Sequence, residues 1–308
     1  MKNAINYYYN LVTYDIRHHG KKYRFKVDND EYLLVLCEYN LDELEEIYKL
    51  DVFLLQMNVY VHQIVLNKDN QIITYINNEP YILMKILVKD TREININDIL
   101  LFQNLPMYEY FKALRKNNWR DFWIQKIDYF EYQMSELGIN FPILRDNFNY
   151  FIGITETAIS LLYNFNYNSN LIIAHRRVTT NSTLQDLYNP LNLIIDSRIR
   201  DVCEYFKSLF FNDTLDLIDI QNYFNITNLT REELYLFYAR MLFPSFYFDM
   251  YEKIIYGSSE DKELLKITNK IETYQVSGKS FYTLHGPKLS PSQPIWLNEK
   301  SLIYFSLQ

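Results

Sequence analysis

The sequence predicts an α+β fold in which an antiparallel sheet with one helix is followed by a mainly helical region. Residues 7–87 consist largely of short apolar or alternating runs with polar turns between them, which is typical of strands. After Val88 the apolar residues recur at helical spacing over most of the chain. We therefore divide the chain into a sheet-rich part, residues 1–88, and a helical part, residues 89–308.

Six short segments of the first part are the predicted strands. They read LVTYDI, KYRFKV, EYLLVLCE, VYVHQIVL, QIITYI and PYILMKIL. Residues 67–70 and 77–78 separate the last three runs and are rich in Asn, which tolerates positive φ better than other non-glycine residues. These two positions are therefore predicted turns.

One predicted helix interrupts the strands. It opens at Asn40, with Glu43 three residues later, a spacing that suits a capped helix start. Its apolar positions recur at helical spacing: Leu44, Ile47, Leu50 and Leu54. In the second part we expect helices over about residues 107–137, 150–163, 200–211 and 231–242, whereas the Gly- and Pro-containing residues 277–294 predict an exposed loop.

Composition limits the classes of partner. The net charge of -7 and the pI of about 5.4 exclude the basic field that nucleic acid binding needs. No run approaches the roughly 18 apolar residues of a membrane span, and the start of the sequence has no signal-peptide pattern, so we expect a cytoplasmic protein. Cys37 and Cys203 lie in apolar stretches, which favours buried free thiols in a reducing compartment.

Five stretches carry a family resemblance. They read WRDFWIQKIDYFEYQ, FIGITETAISLL, IAHRRV, IIDSRIRDVCEYFKSLF and YARMLFPSFYFD. They resemble the spore-coat (YutH/CotS-type) branch of the aminoglycoside phosphotransferase-like superfamily. The resemblance runs in order over residues 23–249 and does not extend to the last part of the chain.

The resemblance implies a protein-kinase-like, two-lobed fold. An antiparallel sheet lobe with one helix would stand above a mainly helical lobe, with a nucleotide cleft between them in active relatives. It also implies a role in the spore coat, so we expect synthesis in the mother cell, deposition on the coat and other coat proteins as partners. A small-molecule ligand in the cleft stays open.

Phosphoryl transfer depends on positioned charges: a Lys on the phosphates, oxygen ligands for Mg²⁺, and an Asp that orients the attacking hydroxyl. In the family, a His-Gly-Asp sequence is followed after four residues by Asn. Residues 175–182, here called the catalytic-loop segment, carry His175 and Arg176 at the first two places. Arg177 stands at the place of the catalytic Asp and Ser182 at that of Asn, so we expect no catalytic residue there. A register shifted by one would instead offer Asn181 as a metal ligand.

Two interpretations of Arg176 and Arg177 stay open. They form either an anion-binding pair or a structural loop whose guanidinium groups bond backbone carbonyls. His175 ends the apolar run LIIAH, and we expect a buried histidine that holds the loop.

Two acids follow the catalytic-loop segment. Asp196 matches the Mg²⁺-binding Asp of the family, fourteen residues past Ser182. Asp201 matches the Asp at the start of the next helix, where a carboxylate suits the helix dipole, and we expect a structural role. The spacer between these acids is shorter than in active members. We therefore expect no metal ligand, with Asp196 the exception only if the protein is active.

The strand EYLLVLCE matches the one that carries the phosphate-binding Lys, and the equivalent place falls near Val35. No Lys or Arg occurs between Lys26 and Lys49. The turn at residues 18–21 has one glycine, Gly20, where close approach of the backbone to phosphates needs several. Both phosphate-binding devices are therefore missing.

Three acids of the first helix, Glu43, Glu45 and Glu46, consequently lack the usual lysine partner, and we expect them on a solvated face or as caps. Taken together, the residues favour a non-catalytic, kinase-like protein that acts by binding and uses no cofactor. The alternative is a small-molecule phosphotransferase that uses ATP and Mg²⁺ with relocated residues. Neither reading assigns a cofactor-binding residue.

Overall fold

The computed structural model describes residues 1–105, 111–163, 171–271 and 273. The chain forms two compact units, the first comprising Met1–Tyr129 with Phe165–Leu215 and the second Phe130–Asn164 with Asp216–Gln308. The first unit therefore joins the sheet to segments from beyond residue 88. The division of the chain at residue 88 stays a prediction.

The first unit is built on a fully antiparallel sheet of order β1-β2-β3-β6-β4, with β5 also paired to β6. Its strands are β1 Ile16–His19, β2 Lys22–Val27, β3 Asp30–Leu36, β4 Gln63–Val65, β5 Thr74–Ile76 and β6 Glu79–Ile86. The predicted strands KYRFKV, EYLLVLCE and PYILMKIL are confirmed, and VYVHQIVL and QIITYI shorten to three residues each.

The strand predicted from LVTYDI is wrong, since only Ile16 enters β1. Thr13, within this segment, donates through its hydroxyl to the carbonyl oxygen of Lys26, at 3.2 Å, and to that of Asp15, at 3.3 Å. A side chain thus ties this segment to the sheet in place of a backbone ladder.

Helix α1 (Lys2–Tyr9) was not predicted. Its only fully buried residue is Ile5, which packs into the sheet core with Phe25, Leu34 and Leu83. A single buried position in a helix of eight residues gives almost no periodic signal. The core contact with the sheet, rather than local propensity, explains this helix.

Helix α2 (Leu41–Gln56) starts as predicted: the Asn40 side chain accepts from the Glu43 backbone N–H at 2.9 Å. The four predicted apolar positions are all buried, and so is Asp51. One Asp51 oxygen accepts from the Ile64 backbone N–H at 2.8 Å, and the other has no hydrogen-bond partner in the described part of the chain. Burial raises the pKa of Asp51 to about 7.

Both predicted Asn turns are confirmed. Asn70, Asn77 and Asn78 have positive φ, and residues 77–78 join β5 to β6 as a two-residue hairpin turn. Residues 67–70 form a turn between β4 and β5, which each pair with β6 rather than with one another.

The remaining elements are mainly helical. They are α3 Ile96–Gln103, α4 Trp119–Leu137, α5 Pro142–Leu161, β7 Leu171–His175, α6 Leu184–Leu187, β8 Leu193–Ser197, α7 Ile199–Phe211, α8 Leu217–Thr227, α9 Arg231–Leu242, α10 Ser245–Ile255 and α11 Leu265–Thr268. The helices predicted over 200–211 and 231–242 are confirmed within one residue, and the helix predicted over 150–163 is confirmed but begins eight residues earlier, at Pro142. The loop predicted at 277–294 lies outside the described residues.

The helix predicted over 107–137 begins at Trp119 instead. Residues 106–110 lie outside the described part of the chain. Residues 114–116 bridge to β8: the Ile195 N–H donates to the Leu114 carbonyl oxygen, and the Lys116 N–H donates to the Ile195 carbonyl oxygen, each at 2.9 Å. These long-range bonds override the helical pattern of the sequence.

The second unit has an aromatic core. Phe151 of α5 stacks on Tyr247 of α10 with ring centroids 3.7 Å apart, and Phe130 of α4 stacks on Phe248 at 4.8 Å. None of the helices in the described part of the chain combines the length and the apolar character needed to span a bilayer.

Candidate functional site

The candidate site lies in the first unit, around the two-stranded sheet of β7 and β8. These strands pair antiparallel, with His175 opposite Leu193 and Ile172 opposite Asp196. The catalytic-loop segment leaves β7, and α7 follows β8. The topology therefore brings the predicted site residues of both strands to neighbouring positions.

His175 is buried, as predicted, at 1% exposure. Its backbone N–H donates to one oxygen of Asp201 at 3.1 Å, and its Nδ1 lies 2.7 Å from the other. Its Nε2 lies 2.9 Å from the carbonyl oxygen of Leu187. Asp201, in the first turn of α7, is therefore a buried partner of the loop histidine as well as a helix-start acid.

Asp196 is fully buried. Its Oδ1 accepts from the backbone N–H of Ser197 at 2.7 Å and from the indole Nε1 of Trp119 at 2.9 Å. Its Oδ2 accepts from Nη1 of Arg200 at 2.8 Å. Both carboxylate oxygens are thus held by protein N–H groups, and one of them by a positive charge.

Arg200 connects this acid to the catalytic-loop segment. Its Nη1 donates to Asp196, its Nε to the carbonyl oxygen of His175 at 3.0 Å, and its Nη2 to that of Arg176 at 3.1 Å. Only 15% of the Arg200 side chain is exposed. Our sequence reasoning missed this residue; its position four residues after Asp196, at the start of a helix, was the available signal.

The residues at the family's metal place do not fit Mg²⁺, which requires near-octahedral oxygen ligands. N–H donors point at both Asp196 oxygens, and a guanidinium stands 2.8 Å from one of them. At the Asn place, the Ser182 hydroxyl accepts from the Thr179 backbone N–H at 3.0 Å. Among the residues described, no group of three or more His, Cys, Asp or Glu side chains is arranged to hold a metal ion.

The expectation of a solvated face is wrong for Glu43. Its carboxylate binds Nζ of Lys116 at 2.7 Å and Nη2 of Arg176 at 3.4 Å. Burial alone would raise the pKa of Glu43, but the hydrogen bond from Lys116 and the charges of both cations hold it below its usual range. Glu46 accepts from two backbone N–H groups of residues 112–114, whereas Glu45 is exposed as expected.

The two arginines of the catalytic-loop segment have separate surroundings. The Arg176 guanidinium lies beside Glu43 and 5.0 Å from the ring centroid of Tyr39. Arg177 is exposed. Its backbone N–H donates to Oδ1 of Asn192, and its carbonyl oxygen accepts from Nδ2 of the same residue, at 3.3 Å each. Arg176 therefore has a structural role, although its partner is a carboxylate rather than a backbone carbonyl.

A cleft of about 370 Å³ lies next to this segment, with walls from β2, β3 and residues 177–192. Val35, near which we expect the place of the phosphate-binding Lys, lines this cleft, and so does Lys22, which pairs with Val35 across the sheet. Gly20, at the β1–β2 turn, has φ +58°, and a Cβ there would meet no atom within 4 Å. The glycine serves the turn, with no group approaching it closely.

Comparison with solved structures establishes the fold of the chain. The chain is similar to the aminoglycoside phosphotransferase of Alicyclobacillus acidocaldarius, with a TM-score of 0.63, 10% identity and coverage of 92% of this chain and 94% of that one. It is also similar to spectinomycin phosphotransferase APH(9)-Ia in its AMP-bound complex, with a TM-score of 0.57, 11% identity and coverage of 91% and 93%. The fold is therefore the kinase-like, two-lobed α+β fold of the aminoglycoside phosphotransferases.

Sequence comparison identifies the family to which the chain belongs. The profile of the family described as "Spore coat putative kinase YutH" matches residues 2–281, so the chain belongs to this family. It is 23% identical over 311 residues to the endospore coat-associated protein YutH of Bacillus subtilis (strain 168), with coverage of 90% of this chain and 92% of that protein.

Proposed function

We propose that this protein is a non-catalytic, kinase-like component of the spore coat that acts by binding other coat proteins. One observation carries the proposal. Asp196, the acid at the metal place of the family, is fully buried with both oxygens bonded to protein N–H groups. Phosphoryl transfer needs that acid to hold a metal ion against the phosphates, and here it holds the fold instead.

The rest of the site supports the same function. Arg177 stands where the family has its catalytic Asp, and Ser182 stands where it has Asn. Glu43 is bonded to Lys116 and Arg176 rather than to a lysine on β3. Each of these changes removes a different requirement of phosphoryl transfer, so no single reversion supplies all of them.

A second function, an ATP- and Mg²⁺-dependent phosphotransferase with relocated residues, is favoured by one observation. Lys22 of β2 lies opposite Val35 and lines the cleft, where it offers a cation near the place of the missing lysine. The two functions differ in whether nucleotide binds and whether phosphate is transferred.

The first test is nucleotide binding and phosphate transfer. Millimolar ATP with Mg²⁺ should leave the Tm unchanged, and labelled ATP should give no transfer, in the wild type and in Arg177→Asp alike. Saturation at a hundredfold excess over Kd would add about 2.7 kcal/mol, a rise in Tm of about 4 °C for a chain of this length. Such a rise, abolished by Lys22→Met, would establish the second function instead.

The second test is location, and it rests on the family and on its coat-associated relative. In a sporulating host, a fluorescent fusion should appear in the mother cell and finish as a shell on the spore surface. A fusion that carries Arg177→Asp should reach the same shell, because coat binding needs no phosphate chemistry. Diffuse fluorescence that never joins the spore surface would contradict the coat assignment.

A further inference from the structure

We infer that the Arg200 guanidinium is a built-in organic cation that takes the structural place of the metal ion at this site. In active kinases, the metal ion neutralises the acid that corresponds to Asp196 and links it to the neighbouring loop. Here Arg200 binds that acid and also the backbone of the catalytic-loop segment. The inference rests on the proposed function in taking Asp196 as the counterpart of the metal-binding acid.

The geometry supports a cation in this position. A buried carboxylate is unfavourable unless a positive charge and hydrogen bonds compensate for the lost water. Asp196 is completely buried, and Nη1 of Arg200 is a positively charged group within hydrogen-bond distance of it, at 2.8 Å. Trp119 and the backbone of Ser197 supply neutral donors to the same carboxylate.

The planar guanidinium suits this task better than an ammonium group. Its three nitrogens donate to three different acceptors: one carboxylate oxygen and two consecutive carbonyl oxygens, those of His175 and Arg176. A lysine at the same position carries the charge on one nitrogen and lacks the fixed fork. The site therefore joins β8, α7 and the catalytic-loop segment through one rigid side chain.

Removal of this cation should be costly. Arg200→Ala leaves the Asp196 charge buried, and we expect its Tm to fall by about 5–8 °C, from the usual cost of breaking a buried pair. Arg92→Ala is the matched control, because Arg92 also donates to a carboxylate, with two hydrogen bonds to Asp98, but 46% of its side chain is exposed. Its Tm should fall by no more than about 3 °C.

Chemical rescue separates a cation site from a merely structural arginine. At about 10 mM, where its denaturing effect is small, guanidinium chloride should raise the Tm of Arg200→Ala by about 2–4 °C relative to equal sodium chloride. Wild type and Arg92→Ala should show no such rise. Equal behaviour of the three proteins would overturn the inference, as would a wild-type Tm that rises with 10 mM MgCl₂ or falls with EDTA.

A second pair of variants serves if Arg200→Ala does not fold. Arg200→Gln keeps the charge of Asp196 but removes the guanidinium, whereas Arg200→Gln combined with Asp196→Asn removes both charges. The double variant should have the higher Tm, and additive losses would count against the inference. This inference and the proposed function can fail separately. If guanidinium does not raise the Tm of Arg200→Ala and no phosphate is transferred, only the inference fails. If guanidinium raises that Tm and phosphate is transferred through other residues, only the proposed function fails.

Discussion

Replacing Asp201 with Ala should lower the free energy of unfolding by about 3–5 kcal/mol, the usual cost of breaking a buried ionic or charge-assisted pair. Asp201 is 2% exposed, and both of its oxygens face His175, at 2.7 Å and 3.1 Å. The alanine variant leaves a buried backbone N–H and a ring nitrogen without an acceptor. Urea unfolding followed by far-UV circular dichroism measures the loss.

Asp201→Asn is the informative companion. Its amide oxygen can accept from the His175 N–H, and its amide nitrogen can donate to Nδ1 of a ring whose Nε2 donates to Leu187. We expect this variant to lose less than about 2 kcal/mol. Asp219, exposed in the first turn of α8, is the control for the helix dipole alone, and Asp219→Ala should cost about 0.3–1 kcal/mol. Equal small losses in all three variants would contradict the buried-pair reading.

Asp51→Asn should stabilise the protein at pH 8, by about 2 kcal/mol. The folded pKa of Asp51 is raised by burial to about 7, from 3.8. Its stabilising contribution is therefore fully present below pH 4 and is lost as the pH rises through 7, a loss on the order of 4 kcal/mol. Asn has no such titration, although its buried amide offsets part of the gain. Urea midpoints at pH 5 and pH 8 measure the difference between variant and wild type.

His62 has a pH dependence of stability opposite in sign to that of Asp51, and it provides an internal check. Burial lowers the pKa of His62 from 6.5 to about 4, so its contribution is present above pH 6.5 and is lost as the pH falls through 4. The free energy of unfolding of Asp51→Asn should therefore rise from pH 4 to 6.5, because His62 is then the only one of the two groups that titrates. In the wild type, the Asp51 titration lowers the free energy of unfolding up to pH 7 and opposes that rise. Between pH 5 and pH 8 the Asp51 loss of about 2.7 kcal/mol is largely offset in the wild type by a His62 gain of about 2 kcal/mol, so the wild-type stability should change by less than about 1 kcal/mol. Asp51→Asn should instead gain about 2 kcal/mol over this range, and a variant with the wild-type pH dependence would show that Asp51 makes no such contribution.

Local patterns in the sequence predicted most of the elements, because they depend on spacing along the chain. The α2 cap at Asn40, the turn at residues 77–78 and helix α9 were all predictable in this way. The start of α4 and the existence of α1 were not, since each depends on contacts with a sheet far away in the sequence. Long-range pairing overrides local periodicity at these places.

The candidate site shows the same limit. Sequence position predicts that Arg177 and Ser182 are changed members of the family pattern and that Asp196 is a retained one. It could not show that Glu43 is bonded to Lys116, 73 residues away, or that Trp119 is bonded to Asp196, 77 residues away. Hydrogen-bond partners that are brought together by tertiary packing produce no periodic pattern in a single sequence, so they could not be predicted from it.

The indole of Trp119, which donates to Asp196, also makes the site accessible to near-ultraviolet circular dichroism. Trp119 stacks on Trp123 with centroids 5.8 Å apart and planes inclined by 20°. These are two of the three tryptophans in the chain. Close, fixed chromophores give asymmetric near-ultraviolet absorption that disappears when side-chain packing loosens, even where helices persist. The tryptophan bands in the near-ultraviolet circular dichroism of the unlabelled protein therefore include a contribution from the packing around Asp196, separate from the far-ultraviolet signal of the helices.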